Sequence, residues 1–278
     1  MICLPGKYSM SSIVDKFMFA PLIIDRTTSF TASHIISLLN DEIACIIIDN
    51  FYPNVSCKKI ANFLQSNAEQ FKKYSNIDAK VLGNPLYWED STLAEYLENS
   101  ESSQQNLLNI SLMLNIENPI DIVLKLFNST WGEKAMIAED KMGKYFAGDI
   151  RIINNAGLHT DLVTRNIKTG ILGRIKQQMS WNIYLSEPKK GFGELEIFNK
   201  KFDESDVKYK KDKGFGYKYQ VVKGCSIARI HPKTGRFVLF KSSNYHRIKR
   251  NPQSNLPRIT ITSFIGYLGN KKPLILWS

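Results

Sequence analysis

The chain changes its apolar rhythm near its midpoint. In the first half, apolar residues come in short blocks and at three- and four-residue steps; in the second, they alternate with polar ones. The β-branched block at residues 43–48, closed by Asp49, Asn50 and Pro53, predicts a strand. Beyond it, Ser56 can cap a helix that places Ile60, Phe63, Leu64, Ala68 and Phe71 on one face. A Ser-, Asn- and Gln-rich stretch at 99–105 leads to a second helical pattern near 107–114. A third has Asn118 as cap, Pro119 at the first helical position, and Ile122, Val123, Leu126 and Phe127 as its apolar stripe. These helices are expected to support a sheet.

From residue 147 the period becomes two. Strands are expected at 147–155, 179–186, 194–198, 225–230, 237–241, 245–248 and 258–268, separated by Gly, Pro, Asn and Lys turn signals at 188–193 and 232–235. Short strands at this spacing imply a double-sheet β-barrel, so the fold class is α+β and mainly β. The length suits one domain, 1–278, with N-terminal helical support over about 1–140 and the barrel core over about 145–270. Residues 200–219, rich in Lys, Asp and Gly, read as a surface insertion between strands.

Composition narrows the class of protein. Lys and Arg outnumber Asp and Glu by 37 to 26, a formal charge of +11, so the surface favours anionic partners. The basic residues are scattered in small clusters, which fits solvated loops better than a nucleic-acid patch. The cysteines, Cys3, Cys45, Cys57 and Cys225, form neither a CxxC pattern nor a paired framework, which fits a reducing compartment. No run approaches the ~20 apolar residues that span a bilayer. Pro5, Lys7, Asp15, Lys16 and Pro21 interrupt the only candidate leader, so a cytoplasmic protein is expected.

Histidine is scarce, with only His34, His159, His231 and His246. Gly157-Leu158-His159-Thr160-Asp161 sets an imidazole and a carboxylate two residues apart, on one side of a strand end. His246, after the apolar strand near 236–241, can complete a site from a distant position. Two imidazoles and one carboxylate leave open positions on an octahedral metal, the arrangement of oxygen-activating iron(II). Arg258 follows His246 by a dozen residues, and Thr260 shares its strand face. A guanidinium and a hydroxyl there suit the far carboxylate of a 2-oxo acid.

In this order, HxD, distal His, then Arg-x-Thr, the residues His159, Asp161, His246, Arg258 and Thr260 resemble the 2-oxoglutarate- and iron(II)-dependent dioxygenase superfamily. The segments 181–186, 191–195 and 235–240 resemble the strands around its ligands, and the likeness covers about 147–268. It implies a double-stranded β-helix (jelly-roll, cupin-like) core, with Fe(II) as metal and 2-oxoglutarate and O2 as co-substrates. It also implies oxidation of a substrate by hydrogen abstraction. Halogenating relatives carry a small residue where the carboxylate would be, so Asp161 favours hydroxylation, desaturation or ring formation over halogenation.

Asn182 and Tyr184 share a strand face and can reach the 2-oxo acid or the substrate, with core packing the competing use of Tyr184. Arg151 can face the interior, where it would need a carboxylate from the protein or from a ligand. Tyr87 and Trp88 sit in an expected loop, either lining a pocket or anchoring the loop. His231, beside a turn, and His34, near a helix start, are read as non-ligands. The expected substrate is a small, acidic or amino-acid-derived specialised metabolite, with neither nucleic acid nor membrane as partner. Two alternatives stay open: a nucleic-acid demethylase, although no further arginine follows Arg258 at 259–266, and a non-catalytic ligand-binding barrel.

Overall fold

The computed structural model describes residues 19–25, 27–73, 79–86, 92–253 and 255–278. Tyr87 and Trp88 lie outside the described residues.

The N-terminal part runs β1 (Pro21–Ile24), α1 (Ala32–Leu39), β2 (Cys45–Ile48), α2 (Asn54–Ser66), β3 (Lys72–Lys73), β4 (Ala79–Leu82), α3 (Leu93–Met113) and α4 (Pro119–Thr130). The expected strand at 43–48 is β2. Helix α2 starts two residues before Ser56, with Pro53 at its cap, and ends at Ser66, so Ala68 and Phe71 are not on it. Helix α4 begins as expected, with Asn118 Oδ1 accepting from Ile120 N and Pro119 inside the first turn. The polar stretch at 99–105, expected only to lead into a helix near 107–114, is itself the middle of α3. Thr92 and Glu95 start that helix with a capping box, in which Glu95 N donates to Thr92 Oγ1 and Thr92 N donates to Glu95 Oε2.

After β5 (Ala135–Ile137) and the hairpin β6 (Glu139–Asp140) and β7 (Gly143–Lys144), the chain forms β8 (Asp149–Ile153), β9 (Ala156–His159), β10 (Gln177–Tyr184), β11 (Leu195–Lys201), β12 (Ile227–Ile230), β13 (Phe237–Phe240), β14 (Asn244–Ile248), β15 (Ile259–Tyr267) and β16 (Leu274–Trp277). The large mixed sheet has the order β1-β2-β13-β10-β15-β8-β4-β3, with β16 also on β15 and β5 beyond it. The smaller sheet has the order β12-β11-β14-β9. The N-terminal part is therefore more than helical support: β2 pairs directly with β13, and β4 with β8.

Alternation on the central strands separates two environments. Trp181, Ile183, Leu239 and Ile261 face the layer of helices, packing with Leu38 of α1, Ile60 of α2 and Phe127 of α4. The opposite face meets the small sheet, where Tyr184, Val238 and Phe240 pack against Leu195, Ile197 and Ile230. Further along that same inner face, β10 and β15 carry Gln178, Ser180, Asn182, Thr260 and Thr262, all buried. Buried polar groups need partners, so a polar stretch inside a sheet pair marks a cavity or a ligand.

Candidate metal centre and co-substrate pocket

The small sheet brings the two histidines together. β14 pairs antiparallel with β9 so that His246 lies directly across from His159, with ring centroids 4.2 Å apart. Asp161 N donates to Ser242 O at 2.8 Å and Ser242 Oγ donates to Asp161 O at 3.2 Å, which fixes the carboxylate toward both imidazoles. Asp161 Oδ2 stands 3.7 Å from His159 Nε2 and 3.4 Å from His246 Nε2. One ligand atom from each of the three residues falls within 4.8 Å of the others.

Each imidazole is oriented by a carbonyl. His159 Nδ1 lies 2.7 Å from Gly157 O and His246 Nδ1 lies 2.9 Å from Asn244 O. A carbonyl can only accept, so both Nδ1 atoms carry a proton and the Nε2 of each ring is the atom left facing the shared space. Burial, reinforced by His246, lowers the pKa of His159 to about 4, keeping it neutral as a ligand must be. Burial works against the Asp161 charge, but His159 and His246 outweigh it and hold the carboxyl below its ordinary range. Two imidazole nitrogens and one carboxylate oxygen, bound on one side only, fit iron(II) with open positions.

The triad opens into a cavity of about 700 Å³. Its floor is the polar inner face of β10 and β15. Arg258, immediately before β15, is 1% exposed; among the described residues no acid pairs with it, and its Nε has no hydrogen-bond partner. Its Nη2 donates to Tyr184 Oη at 3.4 Å, and the guanidinium lies 5.0 Å from the Tyr184 ring centroid. A fixed, buried cation with an idle donor fits an incoming carboxylate, as 2-oxoglutarate would supply. Thr260 and Asn182 line the cavity beside it, whereas Tyr184 touches Arg258 from the apolar layer below. Arg151 also lines the cavity, but its guanidinium is bound to buried Asp149, with Nη2 donating to Oδ2 at 2.6 Å. The structural partner considered for Arg151 is thus present.

His34 caps α1 through Nδ1, which accepts from Thr31 N at 3.2 Å, and His231 sits 4.0 Å from Glu187. Neither approaches the triad cluster. The expectation of a plain surface insertion at 200–219 is corrected. The segment folds back so that Tyr217 N donates to Leu158 O at 2.7 Å, and the Phe215 ring rests 4.9 Å from His159, walling the cavity. Sequence reasoning also passed over Gln178 and Ser180, which follow from Asn182 by strand parity, and Arg165, Trp277 and Lys210, for which no sequence signal existed.

Between two facing sheets, two histidines and an aspartate stand near a buried arginine, the constellation that iron(II) and a 2-oxo acid would require. Residues 17–278 match the family model described as carrier-protein-independent halogenase WelO5, and the chain belongs to that family. It is 36% identical over 157 residues to leucinostatins biosynthesis cluster protein S of Purpureocillium lilacinum, a match spanning 53% of this chain and 63% of that protein. Among solved structures, it is similar in fold to an N-substituted L-amino acid dioxygenase from Burkholderia ambifaria AMMD in complex with alpha-KG. That likeness has a TM-score of 0.54 and 15% identity, and covers 89% of this chain and 91% of the other. A second structure of an N-substituted L-amino acid dioxygenase from Burkholderia ambifaria AMMD gives a TM-score of 0.51 at 14% identity, covering 89% of this chain and 91% of the other.

Proposed function

We propose that the enzyme hydroxylates, desaturates or cyclises a small acidic metabolite, and does not halogenate it, with His159, Asp161 and His246 holding iron(II). Arg258 and Thr260 would receive the far carboxylate of 2-oxoglutarate, with Asn182 beside them and Tyr184 steadying Arg258. In this reading, the two facing sheets form a double-stranded β-helix within a single cytoplasmic domain.

The observation that carries the reading is the Asp161 carboxylate, set against both Nε2 atoms by the Ser242 hydrogen bonds. A carboxylate in that place fills the coordination position a halide would need. Iron(II) with 2-oxoglutarate and dioxygen supplies an oxidant able to remove hydrogen from an unactivated carbon. The chain's own residues do the rest. Gly157 O and Asn244 O hold the Nδ1 protons and so keep both imidazoles in the ligating tautomer. Arg258 orients the co-substrate, while Phe215 and Trp277 wall the space and restrict water.

The cavity is of the size that holds a co-substrate and a compact ligand rather than a duplex. A relative from a biosynthesis cluster and a similar fold that acts on N-substituted L-amino acids both support a small specialised metabolite as substrate. The test is succinate release and product mass across a panel of amino-acid derivatives, with and without chloride. Oxygen insertion or loss of two hydrogens is expected from the wild type. The Asp161→Gly enzyme should lose most of that activity; a chlorinated product from the wild type, or full oxidation by D161G, would overturn the proposal.

A further inference from the structure

The geometry points to Arg165 as the residue that receives a carboxylate of the substrate, making the enzyme selective for a monocarboxylic acid over its neutral amide. The inference rests on the proposed function and names the substrate class for that site.

Among the described residues, four cationic side chains line the cavity, Arg151, Arg165, Lys210 and Arg258, against a single acid, Asp161. Asp161 is turned toward the two imidazoles, Arg151 is bound to Asp149, and Arg258 is taken by the co-substrate in the proposed function. Arg165 is different. It ends a short 3-10 turn after Asp161, and Nη1 donates to Thr160 Oγ1 at 2.8 Å. Its guanidinium carbon lies over the Phe202 ring, 3.9 Å from the centroid. Among the described residues no Asp or Glu forms an ion pair with it, and its side chain reaches the cavity from beside the metal ligands.

A guanidinium clamped by a ring and one hydroxyl keeps several N–H donors in a fixed plane, already ordered before a ligand arrives. That arrangement matches the two oxygens of one carboxylate. Lys210, exposed at the rim and likewise without an acid beside it among the described residues, adds attraction on entry. The Phe202 ring belongs to the segment that also carries Phe215, so the same part of the chain positions the cation and walls the metal site.

The test uses the full chain loaded anaerobically with iron(II) and saturating 2-oxoglutarate, whose visible chelate band shifts when a ligand enters. The probes are N-acetyl-L-leucine, N-acetyl-L-phenylalanine and indole-3-acetic acid, each against its primary amide, on wild type, Arg165→Gln and Arg165→Lys. At least one acid is expected to shift the band of the wild type and to bind about ten- to a hundredfold more tightly than its amide. R165Q should remove that preference, weakening acid binding far more than amide binding, and R165K should restore part of it. Equal binding of acids and amides, an acid preference intact in R165Q, or no acid shifting the wild-type band would each overturn the inference. If R165Q fails to show the chelate band, the acid-to-amide ratio of the wild type decides. Absence of the band in wild type before any probe is added would instead sink the underlying function.

Discussion

Arg258 carries its charge at 1% exposure with an unpartnered Nε and, among the described residues, no acid to pair with. Removing an ion from such a place relieves desolvation, and apolar replacements of buried ionic groups are often neutral or stabilising by about 1–4 kcal/mol. Arg258→Met should therefore melt at the same temperature as the metal-free wild type or higher, yet bind no 2-oxoglutarate. A loss of both fold and binding would show that the arginine is structural. His159 gives a second prediction, through pH. Its folded pKa of about 4 lies below the ordinary imidazole value of 6.5, so between these pH values the unfolded chain binds a proton that the folded one refuses. Stability of the metal-free protein must then fall as pH drops through that window, by on the order of 3 kcal/mol at most. Urea midpoints at pH 7 and pH 5 measure it, and His159→Asn should flatten the difference. Unchanged midpoints would mean that the imidazole is not desolvated.

At the scale of elements, the segment between β11 and β12 shows where reading the sequence stops. The strands that hold His246 and Thr260, with Arg258 just before the second, were legible because alternation is a local signal, and HxD is a local motif. The inner face of β10 could be extended from Asn182 by parity alone. The insertion was not legible. Its Phe202, Tyr209, Tyr217 and Val222 follow neither a helical nor a strand period, because loops and two short 3-10 turns gather them into a cluster shared with Tyr245. The polar centre of α3 misled for the converse reason: Ser, Asn and Gln favour turns, but the Thr92–Glu95 box and buried Leu107 and Ile110 fix them in a helix. The insertion is pinned at Gly216, whose φ is +91° and where an added Cβ would run into the Leu158 carbonyl oxygen. Gly216→Ala should lift Phe215 away from His159. Strain of this kind costs about 1–3 kcal/mol, enough for roughly tenfold faster proteolysis within 203–219. Succinate formation uncoupled from substrate oxidation should rise as the wall opens. An unchanged digestion pattern would mean the segment tolerates the clash by a local shift.

Over the whole molecule, the strand that closes the cavity lies beyond the expected core limit of about 270. β16 pairs with the second half of β15 on the edge whose first half pairs with β8, so the large sheet holds both strands along one long partner. Leu274, Ile275 and Leu276 are fully buried, and Trp277 both packs on Phe264 and lines the cavity. Ser278 ties this edge to the sheet and to the segment before Tyr87: Ser278 N donates to Phe146 O, Leu86 N donates to Ser278 O, and Gly148 N donates to Ser278 Oγ at 3.0 Å. Burying four such side chains contributes roughly 1.5–3 kcal/mol each. Together they approach the whole stability of a domain, about 5–15 kcal/mol. A chain stopped after residue 272 is thus expected to lose its near-ultraviolet circular dichroism and cooperative melting, not merely its activity. Trp277→Ala separates the two contributions. The other three side chains stay buried, so it should still melt cooperatively, about 3–5 kcal/mol less stable, with a wider cavity and weaker retention of any bound acid. Cooperative unfolding of the truncated chain at the wild-type temperature would show instead that the large sheet is complete without this edge.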